Sequence, residues 1–522
     1  MTIQAARISL SALAFCLASA PALAQDEGTP PAQPVAGQSS RTTAYPASFF
    51  ASYAPRSALD IVRQIPGFQF DIGNTGTRGF AGAAGNIVIN GARPSSKADD
   101  LATVLARIPA RRVLRVEVGP GDLYGAEYAG RAQVANIILT AEGGIDGNVT
   151  VSARRGYNGK IGPTVSASAL IKRGNSTINL AAGTQRYDQF DEGTDKLTDA
   201  GSGELIEKRR KRNSYYDADP YVSASWAFEQ ASDKAIRLNA RFEPSTFRLT
   251  QLNHAMPVGD DERQDRLVQK NDRPTLEIGG DITRPLAGGA IKLVGLATRR
   301  KRDDVDTYVF RTPEHEILGG FEQKVDASQG ETIGRLTWSR SNLAGFSVET
   351  GAEAVLNTLD SNVEFHEFEP GGERTRIDLP IDNAEVEEKR AEIFVNLGRS
   401  LSPALRVDAG LTYEISDLQV GGDTSAERQL SFWKPSLTLD WKPGNGWHGQ
   451  FSIKRTVAQL DFYDFISFAE LSNDRVNAGN ADLQPQRAWE LRLTADRKVL
   501  GDGLAKLELG YDHISMLQDR IL

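Results

Sequence analysis

The chain has a single cysteine in 522 residues, and this scarcity limits the chemistry that the protein can perform. Cys16 lies in the N-terminal apolar stretch, so the remainder has no disulfide, no thiol nucleophile and no thiolate metal site. Histidine is also scarce, with five residues. No Ser/His/Asp grouping and no paired-carboxylate motif stands out. We therefore expect no enzyme activity, no cofactor and no metal site.

Long apolar runs are also missing beyond the N-terminus. No stretch of 18 apolar residues follows it, which excludes a helical membrane span. The net charge is -8, from 60 Lys and Arg against 68 Asp and Glu. This acidic balance argues against nucleic acid as the main partner. Neither observation excludes a transmembrane β-barrel, because alternate residues of its strands face a polar lumen.

The N-terminus has the features of a secretory signal peptide. An apolar stretch from Ile8 to Ala20 follows Arg7, and Pro21–Ala24 ends in the small-x-small pattern of a cleavage site. A membrane anchor is the alternative, but residues 25–43 are rich in Pro, Gly and Gln and would not extend a helix. We predict a signal peptide over 1–24 and a disordered linker over 25–43, so the protein leaves the cytoplasm.

Residues 44–145 predict a small α/β domain. Ser57 is placed to cap a short helix that runs to Gln64 and stops at Pro66–Gly67. The other predicted elements are a helix over 97–107 and strands over 86–90, 113–118 and 136–140. The domain is smaller than most independent domains.

Residues 146–522 predict many antiparallel strands. Apolar and polar residues alternate over segments of about ten residues, as at 405–415 and 346–354. A soluble all-β protein would also alternate. Strands of this length and aromatics near strand ends favour a transmembrane barrel. These aromatics are Tyr221, Trp226, Trp433, Trp441, Trp447 and Tyr511.

Loop lengths alternate along the same region. Residues 285–289 and 443–446 predict tight periplasmic turns, whereas 188–220 and 364–388 are long and charged, as extracellular loops are. The pattern accommodates roughly 15 to 17 strands.

Short segments of this chain resemble, in order and spacing, the motifs of TonB-dependent outer-membrane receptors. The segments are Ser57–Asp60 with Ile65–Gly67, Thr77–Phe80, Ile87–Gly91, Arg115–Pro120 with Tyr124–Gly125, Val134–Thr140 and Gly479–Gln486. The resemblance implies a plug domain inside a barrel of 22 strands in the bacterial outer membrane. It also implies coupling of the periplasmic N-terminus to the TonB–ExbB–ExbD complex.

Two features depart from the family pattern. Residues 42–50 are the nearest match to a TonB box, and the match is poor. Too few residues follow Pro485 for the remaining strands and the terminal aromatic of the family. We therefore expect the barrel over 146–522 to be incomplete, either because the sequence is a fragment or because the receptor has decayed.

The resemblance also suggests site residues. It implies that Phe80, Asn86, Arg93, Ser95 and Lys97 lie near the ligand-facing side of the plug, where Arg93 and Lys97 would pair with an anionic ligand. Lys97 as a solvated first-turn residue is the alternative.

Three further residues of the plug are expected to have a structural role. We expect Arg78, Arg115 and Glu117 to lock the plug to the barrel wall rather than to contact cargo.

The sequence has two basic runs, Lys208–Arg212 and Arg299–Arg302. We expect them either to contact phosphates of outer-leaflet lipid or to be solvated charged residues. Glu364, His366, Glu367 and Glu369 include potential metal ligands, but one histidine among scattered acids is more typical of a solvated loop.

The leading functional hypothesis is energised uptake of a bulky, scarce solute such as a ferric siderophore. A plugged barrel that acts as a surface receptor or structural protein without transport is the alternative. A passive porin is a third class, and the plug motifs argue against it. The expected partners are outer-membrane lipid, the TonB complex and a small solute or siderophore, but not nucleic acid.

Overall fold

The computed structural model describes residues 35–36, 42–73, 85–93, 101–124, 128, 131, 133–444, 446–465, 468–470, 475–477, 483–499 and 503–516. The expected signal peptide and most of the expected linker lie outside these residues. Strands dominate the described chain and form two separate sheets and a small hairpin. The prediction of a mainly β fold with an N-terminal α/β unit is confirmed.

The N-terminal unit, residues 35–140, combines two short helices with a five-stranded sheet. Its elements are β1 (Val35–Ala36), β2 (Thr43–Pro46), α1 (Ala58–Val62), β3 (Ile87–Ile89), α2 (Leu101–Ala106), β4 (Val113–Gly119) and β5 (Val134–Leu139). The strand order is β1-β2-β4-β5-β3, and β3 runs parallel to β5. The fully buried side chains of Phe50, Ile61, Leu105 and Ile137 belong to its core.

The cap of α1 follows from the sequence. The Ser57 hydroxyl accepts a hydrogen bond from the Asp60 N–H at 3.3 Å, and the Asp60 carboxylate accepts one from the Ser57 N–H at 3.0 Å. This reciprocal capping box satisfies backbone donors that the first turn leaves free. The helix ends at Val62, two residues earlier than predicted. The start predicted for α2 at Lys97 lies outside the described residues.

The second sheet, called the wall, has 16 strands, which matches the predicted number. Its strands are β6 (Gly144–Arg155), β7 (Ile161–Arg173), β8 (Ser176–Thr198), β9 (Leu205–Ala231), β10 (Lys234–Pro257), β11 (Arg263–Leu286), β12 (Gly289–Arg311), β13 (Ile317–Leu343), β14 (Phe346–Phe368), β15 (Arg374–Ile377), β16 (Asn383–Ser402), β17 (Leu405–Gly422), β18 (Ala426–Gly444), β19 (Trp447–Val457), β22 (Arg487–Val499) and β23 (Gly503–Ser515). The remaining strands, β20 (Phe468–Glu470) and β21 (Arg475–Asn477), form the small hairpin.

Every pairing in the wall is antiparallel. Each strand pairs with its neighbours along the chain, apart from two exceptions. The short strand β15 lies off the main path beside β14, and β19 pairs with β22. Among the described strands, β6 and β23 are the two edges of the wall.

Alternate residues give the wall two chemically different faces. In β12, Val294 and Leu296 are buried on the inner face, while Leu293 is 53% exposed on the outer face. Exposed apolar residues of neighbouring strands lie in register with Leu293 and form an outer apolar band. Its members include Leu238, Ile282, Leu293, Leu336, Ile393, Ile415 and Trp433. In β12 the band ends at Ala297, before Arg299.

The two ends of the wall differ in their connections. Two-residue turns at 174–175, 287–288, 344–345 and 403–404 mark the short-turn end. The connections at the opposite end, called the far end, are longer. The tight turn predicted at 285–289 is confirmed. At the turn predicted over 443–446, Gly444 pairs with Trp447, and residue 445 lies outside the described residues.

The long loops predicted over 188–220 and 364–388 are wrong. Most of their residues belong to β8, β9, β14, β15 and β16. Ion pairs such as Arg212–Glu192 at 3.0 Å and Lys211–Asp195 at 2.8 Å join β8 to β9 there. Because both faces are polar in these extensions, no apolar alternation reveals a strand.

Strand lengths therefore exceed the prediction of about ten residues, with 27 in β9 and 24 in β10. The prediction placed Tyr221 near a strand end. It lies instead within β9 and contacts the N-terminal unit. Among the described residues, no helix has the length and apolarity that crossing a membrane requires.

Candidate functional site

The N-terminal unit lies against the inner face of the wall. The Arg107 guanidinium of the unit lies over the Tyr221 ring of β9, with 5.4 Å to the ring centroid. On a distant strand, the Gln450 side-chain amide donates to the Arg131 carbonyl at 3.5 Å. The wall therefore curves around the unit from β9 to β19.

The first strand of the wall is clamped by two arginines of the unit. The Arg111 and Arg112 guanidinium groups both bind the Asp146 carboxylate, which is almost fully buried. Arg112 also donates to the Glu142 carbonyl at 2.7 Å. Charge-assisted hydrogen bonds of this kind are stronger than neutral ones, so they fix the junction between unit and wall.

A chain of buried charges crosses the inner face. Glu353 accepts from Arg335 at 3.1 Å and from Arg390 at 3.2 Å. On the next strands, Lys434 donates to Glu392 at 2.9 Å and to Glu414 at 2.6 Å. Buried charges are tolerated only when they are paired in this way. A polar inner face opposite an apolar outer band is the reverse of a soluble sheet packed on a core.

A cavity of about 480 Å³ separates the Asn90–Arg93 turn of the unit from the wall near the short-turn end. Its charged lining is mainly basic. The lining includes Arg93, Arg237, Lys292, Arg335 and Arg406, together with the carboxylates of Glu349 and Asp408. A basic gap between unit and wall is suited to anionic solutes.

At the far end the inner face carries a packed group of aromatic residues, called the aromatic cluster. Its aromatic side chains are Tyr215, Phe247, Tyr308, Phe310, Phe321 and Phe365, packed around Leu249 and Leu267. The Asn253 amide donates to the Tyr308 hydroxyl at 3.1 Å. No local pattern in the sequence indicates this cluster, because its members are distributed over six strands, β9 to β14.

Charged groups adjoin these aromatics on the inner face. Arg273 donates to Asp304 at 2.6 Å, and the Arg302 guanidinium lies 4.9 Å from the centroid of the Tyr463 ring. Asp306 is in β12 beyond the apolar band and accepts from the Gln269 amide at 3.0 Å. Burial, with a smaller contribution from Asp304, raises the pKa of the Asp306 carboxyl to about 6.

Tyr463 belongs to a segment that leaves the wall after β19 and folds onto the inner face. Leu460, Phe462 and Phe465 of this segment pack with buried residues of the wall such as Val363 and Leu418. The segment therefore covers part of the inner face.

Two of the predicted ligand residues are described, and neither belongs to the aromatic cluster. Asn86 is buried within the unit, where its side chain donates to the Gln69 carbonyl at 2.7 Å and accepts from the Asp71 N–H at 2.8 Å. Arg93 is also buried and lines the cavity near the short-turn end. Phe80, Ser95 and Lys97 lie outside the described residues.

Asn86 and Asp71 hold a polar corner of the unit together. Partial burial acts to raise the pKa of Asp71, but the Arg131 guanidinium and the Gly73 N–H hold that pKa below its usual value. Asp71 is therefore ionised and paired at neutral pH.

The residues predicted to lock the plug have their described contacts inside the unit. Arg115 donates to Glu117 at 2.8 Å, and the Asn136 amide reaches Glu117 at 3.5 Å. Arg78 lies outside the described residues. The described pairs that join unit and wall use other residues, such as Arg107 and Arg112.

The basic runs are divided between the faces of the wall. In the second run, Arg300 and Arg302 are on the inner face, while Arg299 and Lys301 are on the outer face beside Asp303. In the first run, Arg209 pairs with Glu207 on the inner face.

Glu364, His366, Glu367 and Glu369 are likewise not gathered into one group. Glu364 and His366 share the outer face, and Glu367 points to the inner face. In the described part of the chain, no three His, Cys, Asp or Glu side chains are grouped so as to hold a metal ion.

No protein-family model and no curated protein sequence matches the chain. Solved structures with a similar arrangement include the siderophore receptor PiuA from Acinetobacter baumannii, at 12% identity and a TM-score of 0.43, with 88% of this chain and 70% of that chain covered. The copper transporter OprC has 14% identity and a TM-score of 0.44, with coverage of 88% and 70%.

A third similar structure is the ferripyoverdine receptor of the outer membrane of Pseudomonas aeruginosa. It is 13% identical with a TM-score of 0.41, and 93% of this chain and 64% of that chain are covered. The strand order and register of this chain themselves establish its architecture.

Proposed function

We propose that the chain is a bacterial outer-membrane receptor for the energised uptake of a bulky, scarce solute such as a ferric siderophore. One observation carries the proposal: a folded unit lies against the polar inner face of a wall whose outer face is an exposed apolar band. Paired strands with an apolar outer face suit a bilayer, because backbone groups must be hydrogen-bonded there, and the edge strands β6 and β23 must find partners as well. A folded unit on the inner face is compatible with gated passage.

The aromatic cluster of the inner face supports contact with a solute at the far end, and the basic cavity supports its passage beside the unit. The resemblance of the sequence motifs to TonB-dependent receptors supports coupling to the TonB complex. The proposed location of Arg78, Arg115 and Glu117 as locking residues and of Phe80, Ser95 and Lys97 near ligand remains part of this proposal.

Uptake by the full-length protein in intact cells tests the function. A strain without the gene should lose growth on a limiting iron source, and a strain without TonB should lose it equally. Growth that persists without TonB would contradict energised import. Retained solute binding together with TonB-independent growth would instead support the alternative, a surface receptor without active transport.

A further inference from the structure

Basic residues follow the outer face of the wall along its short-turn end. They are Arg173, Arg284, Arg340, Arg399 and Arg497, with Lys234 at the start of β10. Asp233 is in the turn next to Lys234. The outer face at the far end is mixed instead: Arg299 and Lys301 lie near a cross-strand row of Asp272, Asp303 and Asp326. The excess of positive charge on the outer face is therefore at the short-turn end.

Arg340 and Arg399 have no carboxylate partner among the described residues. Arg340 donates to the Asn342 carbonyl at 3.0 Å and to the Ala287 carbonyl at 3.3 Å. The Arg399 guanidinium lies 4.9 Å from the centroid of the Phe346 ring. Both positive charges are thus oriented by neutral groups and are not neutralised by the protein.

The spacing of these two arginines suits a lipid headgroup. Only β14 separates their strands, β13 and β16. Two interstrand spacings of about 4.8 Å place the strands roughly 10 Å apart, which long arginine side chains can bridge.

An apolar groove of about 510 Å³ lies next to these arginines on the same face, on the side away from the turns. Trp338, Leu336 and Ile393 line it, and the tilted rings of Tyr413 and Trp433 form its side at a centroid distance of 4.5 Å. Small residues, Gly351 and Ala352, contribute to its floor. A groove between large apolar side chains within the outer band has the shape and polarity of an acyl-chain site.

We propose that Arg340 and Arg399 bind the anionic headgroup of a glycerophospholipid, one acyl chain of which occupies the groove between Trp338 and Trp433. The inference rests on the proposed function, because it requires the wall to lie in a membrane. Short turns are periplasmic in outer-membrane barrels, so the lipid belongs to the periplasmic leaflet. This differs from the outer-leaflet contact predicted for the basic runs.

Charge complementarity selects this occupant. Basic residues near a membrane surface attract anionic lipids, whereas zwitterionic lipids gain little from them. Arg299 and Lys301 are a less suitable site because a row of three aspartates lies near them on the same face and would repel an anionic headgroup.

Tryptophan quenching by brominated lipids tests the site directly, because Trp338 and Trp433 line the groove. The full chain is reconstituted into phosphatidylcholine vesicles that contain a small fraction of brominated phosphatidylglycerol or, in parallel, brominated phosphatidylcholine. We expect stronger quenching by the anionic lipid. The double variant Arg340→Gln and Arg399→Gln should lower this preference about five-fold for each cation removed. High salt should weaken it in the wild type.

The double variant Arg299→Gln and Lys301→Gln is the matched control and should retain the preference. Equal quenching of the wild type by both lipids, or an equal loss in the control, would overturn the lipid site. Quenching by neither lipid means that the chain has not inserted, and this outcome would overturn the proposed membrane location as well. Insertion without lipid preference would overturn the lipid site alone.

Discussion

Tyr221 of β9 is held between two guanidinium groups, because Arg107 of the N-terminal unit and Arg241 of β10 both lie over its ring. The distances to the ring centroid are 5.4 Å for Arg107 and 4.4 Å for Arg241. Arg241 is itself fixed by Glu243. A single aromatic side chain of the wall therefore connects the end of α2 to the inner face.

Replacement of this ring should loosen the N-terminal unit. Tyr221→Leu removes both cation–π contacts, each of which contributes about 0.5–2 kcal/mol. We expect faster hydrogen exchange in α2, measured by mass spectrometry. Tyr221→Phe keeps the ring and should behave like the wild type; equal exchange in both variants would show that the ring does not hold the unit.

The two arginines that bind Asp146 should differ in importance because their burial differs. Arg112 is 11% exposed and Arg111 is 69% exposed. Arg112→Gln should cost about 1.5–3 kcal/mol, as expected for a hydrogen bond to a charged group. Arg111→Gln should cost less than about 1 kcal/mol. Urea unfolding of the two variants measures both values, and an equal loss would contradict the clamp as described.

The chain of buried charges predicts that replacing two adjacent residues of β16 changes the free energy of unfolding by very different amounts. Arg390→Met leaves Glu353 buried and without one of its two arginine partners, which should cost about 3–5 kcal/mol. Lys389 points to the outer face and pairs with exposed Glu387. Lys389→Met is therefore the control and should change the urea midpoint little. Similar urea midpoints for both variants would show that the buried charges of the inner face do not stabilise the wall.

Asp306 predicts a pH dependence of stability. Its pKa rises from 3.8 to about 6 on folding, so between pH 4 and 6 the folded chain holds a proton that the unfolded chain has released. The contribution of Asp306 to stability therefore falls as pH rises through this window, by roughly 3 kcal/mol at most.

The variant Asp306→Asn should raise the urea midpoint above pH 6 and leave it nearly unchanged at pH 4. Asp303→Asn, on the exposed outer face, is the matched control. A midpoint of Asp306→Asn that follows pH as steeply as the wild type would exclude Asp306 as the group responsible.

Local signals in the sequence were sufficient for part of this architecture. Ser57 and the Pro66–Gly67 stop identified a capped helix, and the alternation at 405–415 identified β17, because both patterns involve residues close together in the chain. Extensions such as 188–198 were not recognised, since most residues on both faces are polar, and strand pairing and cross-strand ion pairs stabilise them.

The candidate site was harder to predict, because pairing across strands determines it. The run 299–302 seemed a single basic cluster, yet the pleat of β12 places Arg300 and Arg302 inside and Lys301 outside. Tyr463 reaches Arg302 from a segment more than a hundred residues away, and no local pattern indicates that contact.

The length of the strands has a consequence for how the protein meets a solute. A strand of 27 residues extends roughly 90 Å, whereas the apolar band of a membrane barrel is only about 25 Å tall. Much of the far end is therefore a hydrogen-bonded rim rather than a set of mobile loops. Such a rim is preorganised, so capture requires little loss of conformational entropy. Under the proposed function, selectivity then resides in this hydrogen-bonded rim, which is ordered before the solute arrives.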